Sequence, residues 1–536
     1  MTKLSRMAAV PRLRALACAL VGGGACLALP AARAFEIDTG NPDVRMRWDN
    51  TLKYSAAARV KSQSSTLTGA IDQDDGDRDF SRGIISNRVD LFSEFDVTYH
   101  DVGARLSGAA WYDTVYNTSN DHDSPATSNN ISVPYNHFTD ATRRYHGRDG
   151  ELMDAFVFGA TRIGNTSASV RLGQHALQWG ESLFFGYNGI ARAQAPLDII
   201  KAVSVPNSLF KEIILPVPQL SGQLQVTPDL SFGAYYQFRW ERDRVPAVGS
   251  YFSTTDTFGP GAESIRFFRG NPNPFLHGSD MDGKDSGQGG VQMRLRWAET
   301  DFGLYYVQFN EKEPQLYFRG SEFLYVYPKA IRSWGASASH TFGIVNLAGE
   351  ASVRDNMPLN SNGQRDVAGT ADDDANALYA VGRTGHAQVS WLINLPPTAL
   401  AREASIAGEI ACNRVFSITK NAAAVNPNTN RDACNFTTVV TPTYRQVASG
   451  LDLDVPLGVG FGIKNSRAMG PTFMGDHVGR ISVGAKGTYN SVWTSTLNFT
   501  HYFGPEGTFL DSRGSVSFKQ SLKDRDFISL SISRTL

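Results

Sequence analysis

The segment Leu230–Glu241, with the sequence LSFGAYYQFRWE, decides the predicted fold. Its apolar and polar side chains alternate, and successive side chains of a β-strand point to opposite faces. The apolar face comprises Leu230, Phe232, Ala234, Tyr236, Phe238 and Trp240. The other face comprises Ser231, Gly233, Gln237, Arg239 and Glu241. A strand of this kind can separate lipid from water.

The same alternation recurs at seven other places, 44–54, 88–99, 220–226, 291–297, 345–354, 480–489 and 493–503. Short turns are predicted at 101–103, 164–166, 228–229, 299–301, 342–343, 396–397, 455–456 (Val455-Pro456) and 490–491. Long polar connections are predicted at 61–82, 117–149, 180–216, 244–287, 311–331, 356–377, 416–441, 465–475 and 504–525. Eight short turns and nine long loops join eighteen strands, an organisation typical of a transmembrane antiparallel β-barrel.

The strand number has a range of 16–20, because 323–328 and 514–520 could each form an extra strand. A soluble β-sandwich or propeller also shows alternation. Neither would combine aromatic-rich stripes facing Arg and Glu with connections that alternate in length. The fold class is therefore all-β, a single barrel.

Residues 1–34 have the features of a secretory signal peptide. A basic start is followed by the apolar stretch Ala15–Leu29, and Ala32-Arg33-Ala34 offers cleavage after Ala34. Residues 35–536 would then form one outer-membrane β-barrel domain, localised in the outer membrane of a Gram-negative bacterium. The remaining chain contains no apolar run long enough for a helical span.

The charge balance argues against nucleic-acid binding. The chain has 51 Lys and Arg against 52 Asp and Glu, and removal of the basic signal makes it more acidic. Nucleic-acid binding favours basic patches. The expected partners are instead outer-membrane lipid and a small-molecule solute.

Two cysteines, Cys412 and Cys434, remain after cleavage and flank the polar segment Asn413–Ala433. In an exported protein they are expected to form a disulfide that closes an external loop. Two free thiols are the alternative. No metal site is expected there, because no His or further Cys lies nearby.

Acidic residues cluster in one loop, at Asp72, Asp74, Asp75, Asp77 and Asp79. Calcium prefers several carboxylates from a flexible loop, but the spacing does not match an EF-hand. A solvated acidic loop is the favoured interpretation, with calcium binding left open. The Walker A, zinc-protease, C-x-x-C and G-x-S-x-G motifs are absent from the sequence. The sequence thus predicts no enzyme, cofactor or metal site.

The segment 180–216 is unusually apolar for a loop, and Pro196, Pro206 and Pro216 divide it into short, partly helical pieces. Exposed apolar patches of this size mark a contact surface. The segment either folds into the lumen as a constriction that contacts solute or packs as a cap at the mouth. The candidate constriction residues are Phe184, Phe185, Ile199, Ile200, Phe210 and Ile213.

Charges of both signs alternate with the lipid-facing stripes and are expected to face the lumen. Mixed charges in a pore tune which ions pass, although salt bridges across the wall would also explain them. The candidate lumen charges are Arg45, Arg47, Arg239, Arg294, Arg296, Arg480, Glu94 and Asp96.

Four stretches resemble a large proteobacterial family of unknown function that is described as exported and porin-like. They are Phe35–Asp38, Trp48–Tyr54, Ser86–Leu91 and Gly108–Asp113. The resemblance covers essentially the whole mature chain and implies an outer-membrane barrel. That family is often encoded near efflux-type permeases, which implies traffic in hydrophobic molecules and partners among periplasmic proteins or permeases. It carries over no functional residues.

The sequence therefore favours an outer-membrane channel that passes a small hydrophobic or amphipathic solute. A general diffusion porin for hydrophilic solutes is the first alternative. A barrel without a transport role, such as a surface receptor or an embedded hydrolase, is the second. An apolar plug would favour the channel for a hydrophobic solute, and an open lumen would favour the diffusion porin. A catalytic Ser-His pair at the lipid face would favour the barrel without a transport role.

Overall fold

The computed structural model describes residues 35–536, so the predicted signal peptide and its cleavage site lie outside the described residues. Eighteen antiparallel strands close into a barrel, as the sequence predicts. The strands are β1 Val44–Arg59, β2 Gly83–Tyr99, β3 Val102–Asp113, β4 Arg148–Ile163, β5 Thr166–His175, β6 Val217–Thr227, β7 Leu230–Gln237, β8 Gln288–Trp297, β9 Thr300–Phe309, β10 Ile331–Phe342, β11 Val345–Pro358, β12 Val381–Leu395, β13 Glu403–Lys420, β14 Asp432–Ala448, β15 Leu451–Asp454 with Leu457–Ile463, β16 Gly479–Tyr489, β17 Trp493–Phe503 and β18 Phe527–Thr535.

The barrel closes through β1, which pairs with both β2 and β18. The β1–β18 register runs from Thr51 opposite Thr535 to Arg59 opposite Phe527. A short strand, Phe35–Ile37, adds to the first part of β1. Closure pairs both edges of the sheet, which an open sheet in lipid could not do.

Side chains alternate across the wall as expected. On β1, Leu52 is 47% exposed whereas its neighbour Lys53 is 4% exposed, because Leu52 faces outward and Lys53 faces the filled lumen. Large apolar side chains are exposed around the outside of nearly every strand. A closed barrel with an apolar exterior is an outer-membrane β-barrel, which confirms the predicted fold and localisation.

Trp240 departs from the predicted stripe. Strand β7 ends at Gln237, and Trp240 is 7% exposed, with its indole N–H donating to the Glu311 carbonyl at 3.2 Å. The alternation in the sequence continues past the end of the strand, but the chain turns inward and buries the ring. The prediction for this residue was wrong.

Nine long and eight short connections join the strands, as predicted, but one predicted turn is wrong. Val455-Pro456 interrupts β15 instead of ending a strand. The Val455 N–H donates to the Pro442 carbonyl, and the Pro456 carbonyl accepts from Gly484. Pairing therefore continues on both sides of the proline, and the actual turn follows Ala448.

The predicted loop 416–441 is too long, because β13 and β14 leave only 421–431 between them. Cys412 and Cys434 form the expected disulfide, but they lie directly opposite each other within the two strands. Above the membrane both faces of a strand contact water or loops, so polar composition alone does not distinguish strand from loop there.

The long loops build a cap with its own five-stranded sheet. Its strands are Ser264–Ile265, Phe275–His277, Gln315–Arg319, Glu322–Val326 and Gln364–Arg365. The possible extra strand at 323–328 thus forms in part, within the cap and not the wall, and 514–520 forms no strand. The acidic residues Asp72–Asp79 are also packed in this cap, with Asp74 and Asp77 fully buried, so the expectation of a solvated loop was wrong.

Helices are short. In residues 35–536 the α-helices are Asp75–Arg78, Asp140–Thr142, Ile199–Ser204 and Phe210–Ile213, the 3-10 helices are Val115–Asn117, Ile190–Ala193, Ala422–Ala424 and Gly470–Thr472, and Arg143–Gly147 is a π-helix. Among residues 35–536, no helix is long and apolar enough to cross a membrane.

Candidate functional site

The connection between β5 and β6, residues 176–216, folds into the barrel. Two of its helices are capped locally, since Asp198 accepts from the Lys201 N–H at 2.8 Å and Glu212 accepts from the Leu209 N–H at 2.8 Å. We name residues 176–216 the inner segment. Its apolar residues would be costly in water, at roughly 1.5–3 kcal/mol for each large side chain, which favours this location.

Three charged residues of the wall hold one end of the inner segment. Glu409 on β13 accepts from the N–H groups of Leu183 at 3.1 Å, of Phe184, and of Phe185 at 2.9 Å. Arg354 on β11 donates to the carbonyls of residues 187–189. A carboxylate thus satisfies consecutive N–H groups and a guanidinium satisfies consecutive carbonyls, in place of the water that an exposed loop would use.

Glu350 on β11 and Gly335 on β10 complete this attachment. Glu350 accepts from the Glu181 N–H at 2.7 Å and also from the Ile190 N–H. The Ile190 side chain lies so close to β10 that a Cβ at Gly335 would overlap it. The inner segment is therefore packed directly against the wall.

The other end of the inner segment is held by the first four strands. Lys201 pairs with Glu151 on β4 at 2.9 Å, and Lys211 pairs with Glu94 on β2. In an eighteen-strand barrel, β1–β4 and β11–β13 are on opposite sides. The inner segment therefore crosses the lumen.

A cavity of about 600 Å³ lies beside the inner segment. Five of the six candidate constriction residues line it, Phe184, Phe185, Ile199, Phe210 and Ile213. Ile200 does not, because its side chain is packed and 2% exposed. The facing wall contributes Asn435 and Thr437 from β14 and Arg480 from β16. The lining is mostly apolar, with Arg192, Glu313 and Arg480 as its charged groups.

A second cavity of about 180 Å³ lies among the cap loops. It shares with the first cavity the lining residues Arg192, Phe258, Glu313, Pro471 and Phe509, so the two cavities adjoin. Arg192 forms ion pairs with Asp243 and Glu311. Burial raises the pKa of Glu313 to about 8.

Six of the eight predicted lumen charges occupy three kinds of position. Arg45, Arg47 and Asp96 line a polar cavity of about 740 Å³ toward the short-turn end. Glu94 pairs with Lys211, and Arg294 pairs with Glu181 at 3.1 Å, so these two bind the inner segment. Arg480 lines the apolar cavity.

The other two predicted lumen charges lie at or beyond the end of a strand. Arg296 is exposed near the short-turn end of β8. Arg239 follows the last residue of β7 and forms an exposed ion pair with Glu241 at 2.9 Å. The lumen assignment of Arg239 assumed a longer strand and was wrong.

Sequence reasoning did not single out Glu350, Arg354 and Glu409 as attachment residues. The available signal was a charge on the lumen face of strands that otherwise carry small or neutral residues, as around Glu409 in EASIAGEIAC. Nothing local shows that their partners are backbone groups more than 150 residues away.

A model of the family described as "Protein of unknown function (DUF1302)" matches residues 15–536. No curated protein matches the chain. The crystal structure of Pseudomonas aeruginosa OpdK with vanillate is 12% identical over 92% of this chain and 98% of that chain, with a TM-score of 0.42. The crystal structure of Acinetobacter baumannii OccAB3 is 9% identical over 92% of this chain and 99% of that chain, with a TM-score of 0.44. The Salmonella typhi OmpF complex with daunomycin is 9% identical over 94% of this chain and 100% of that chain, with a TM-score of 0.37.

Proposed function

The chain belongs to the DUF1302 family, and from that premise we propose that it is an outer-membrane channel for a small hydrophobic or amphipathic solute. The closed barrel is of the porin-like channel type. One observation carries the finer proposal, namely the apolar cavity that the inner segment forms inside the lumen. A general diffusion porin would need a wet passage instead.

The size and chemistry of the cavity support this solute class. Ligand sites are typically clefts of about 300–1,000 Å³ with mainly apolar walls and a few polar groups. The cavity of about 600 Å³ beside the inner segment, here named the main cavity, falls in this range. Glu313 and Arg480 are polar groups on its lining. Such a lining would accept an apolar body with one polar end.

The proposed route connects the cavity of about 180 Å³ among the cap loops with the main cavity and passes the inner segment. The shared residues Phe258, Pro471 and Phe509 support the first step. The polar cavity around Arg45 and Arg47 supports an opening of this route at the short-turn end, which faces the periplasm in barrels of this type. The proposal assigns no direction of transport.

A double substitution tests the proposal, Phe184→Ser with Phe210→Ser. Both rings line the cavity and are 41% and 58% exposed, so the barrel should fold without them. Because burying a Phe side chain is worth roughly 1.5–3 kcal/mol, uptake of a neutral aromatic solute into proteoliposomes should fall about tenfold. Uptake of a sugar of similar size should be unchanged or faster.

The matched control is Phe268→Ser, since Phe268 is 56% exposed in the β7–β8 loop and lines neither cavity. It should leave both rates unchanged. Equal losses of aromatic and sugar uptake in the double variant would contradict an apolar passage and favour the diffusion porin.

A further inference from the structure

Three carboxylates from two distant loops meet inside the cap. Asp74 and Asp75 lie between β1 and β2, and Asp256 lies between β7 and β8. All three are at most 2% exposed, and one oxygen from each lies within 4.8 Å of the others. Two ligands that are each about 2.4 Å from one Ca²⁺ ion can be no more than about 4.8 Å apart. The three oxygens thus meet the distance limit for a single ion.

The hydrogen bonds leave part of this group unsatisfied. Asp256 Oδ2 accepts from the N–H groups of Asp74 and Asp75 at 2.8 and 3.3 Å. Its Oδ1 is buried with no hydrogen-bond partner in the part of the chain that the structure describes. Burying an ionised carboxylate without a counter-charge is expensive. Arg78 is shared between Asp74 and Asp123, and His122 Nε2 lies 2.8 Å from Asp75 Oδ1, which leaves Asp256 without a cationic side chain of its own within the described residues.

A neutral side chain supplies an independent observation. Asn129, between β3 and β4, is 1% exposed, and its backbone N–H donates to Asp75 Oδ2 at 3.2 Å. Its Nδ2 donates to Asp72 Oδ1 and to the Ser264 carbonyl, both at 2.6 Å. The remaining Oδ1 is buried with no partner among residues 35–536. It is an oxygen donor of the kind that completes a calcium site.

Asp79 approaches the same group and is 5% exposed. Its Oδ1 also has no partner within the described chain. Burial and the negative charges of Asp75, Asp256 and Asp74 raise the pKa of Asp79 well above its usual value. Its carboxyl group is therefore close to the three carboxylates.

We propose that Asp74, Asp75 and Asp256 bind one Ca²⁺ ion, with Asn129 and Asp79 as further oxygen donors. Calcium takes six to eight oxygen ligands in flexible geometry, whereas Mg²⁺ demands a near-ideal octahedron and keeps several waters. A buried set of carboxylate and amide oxygens from three loops suits the larger ion.

The ion would join the loops that close the cap. The β7–β8 loop that carries Asp256 also supplies Phe252, Thr255 and Phe258 to the lining of the main cavity. Calcium would therefore fix one rim of that cavity. The inference does not depend on which solute passes.

Binding is tested on the full chain, purified from outer membranes in detergent and stripped with EDTA. Titration with CaCl₂ in a calorimeter should show one saturable site, and the same amount of MgCl₂ should bind at least tenfold more weakly. Asp256→Asn should weaken calcium binding at least tenfold. The matched control is Asp282→Asn in the same loop, because Asp282 is 57% exposed and pairs with Arg242, so that variant should bind as the wild type does.

A second measurement needs no variant. Limited proteolysis of the wild type should cut within 60–82 and 238–287 in EDTA, and CaCl₂ should protect both loops. An absence of saturable calcium binding by the wild type would overturn the proposal. Equal affinity in the folded Asp256→Asn variant would overturn it too, as would identical cleavage with and without calcium.

Discussion

The carboxylate of Glu409 accepts a hydrogen bond from the backbone N–H of Phe185 at 2.9 Å. Glu409 belongs to the barrel wall, and Phe185 belongs to the inner segment and lines the apolar cavity. This bond and its two neighbours at Leu183 and Phe184 hold the aromatic side of the cavity in position.

Glu409→Gln should loosen the inner segment. Hydrogen bonds to a charged group contribute about 1.5–3 kcal/mol each, and a neutral amide oxygen would retain only part of that. Single-channel conductance in planar bilayers should rise and become noisier. Glu403→Gln on the same strand is the control, because Glu403 forms an exposed pair with Arg445. An unchanged conductance in Glu409→Gln would show that this attachment does not restrict the passage.

Deleting residues 185–212 and joining the ends with a short Gly-Ser linker should leave a folded barrel. The wall is held by its own ladder of strand pairs, and those hydrogen bonds do not involve the inner segment. Unheated samples should still migrate differently from heated ones on gels. Conductance should rise several-fold and selectivity for apolar over polar solutes should fall. If both stay at the wild-type values, the segment acts only as a cap.

The disulfide should be present in protein from the native envelope and dispensable for the barrel. Peptide mapping without reduction should find Cys412 linked to Cys434. Closing a loop with this separation of 22 residues is worth roughly 3 kcal/mol in the chain-entropy model. Cys412→Ser with Cys434→Ser should still give a heat-modifiable barrel, because the two residues are also paired through the β13–β14 ladder. Loss of the folded band would contradict this.

The cation preference of the channel should rise with pH around 8. Burial and the nearby Asp243 and Glu311 raise the pKa of Glu313 to about 8, and Arg192 opposes them. Glu313 is therefore mainly neutral below pH 8 and gains a negative charge above it. Burial lowers the pKa of the neighbouring Lys312 to about 8, so that it loses its positive charge in the same range. Reversal potentials measured between pH 6.5 and 9.5 should shift toward cations in the wild type and shift clearly less in Glu313→Gln. Glu322→Gln, at an exposed site in the same loop, should retain the full shift. A shift of wild-type size in Glu313→Gln would assign it to another group.

The wall of the barrel was predictable because its signal is local. A strand in lipid must alternate, and Leu52 beside Lys53 shows the pattern residue by residue. The wrong predictions concern residues outside the lipid layer, where the membrane does not require apolar and polar side chains to alternate. Trp240 continues the alternation beyond β7 but packs in the cap, and Cys412 and Cys434 lie in strand positions of polar composition.

The candidate site was predictable only in part. Phe184 and Phe210 stood out because a loop so rich in apolar residues needs a place to be buried. Glu409 and Arg354 did not, because their partners are backbone groups far away in the sequence. Asp74 and Asp256 are buried together although they are 182 positions apart in the sequence, and no local pattern encodes such a contact.

The most direct measurement is the solute preference of the wild-type channel in liposomes. Uptake of a neutral aromatic solute and of a sugar of similar size would be measured side by side, each corrected for protein-free liposomes. The account predicts protein-dependent uptake that favours the aromatic solute. Equal uptake of both, or faster uptake of the sugar, would contradict an apolar passage through this barrel.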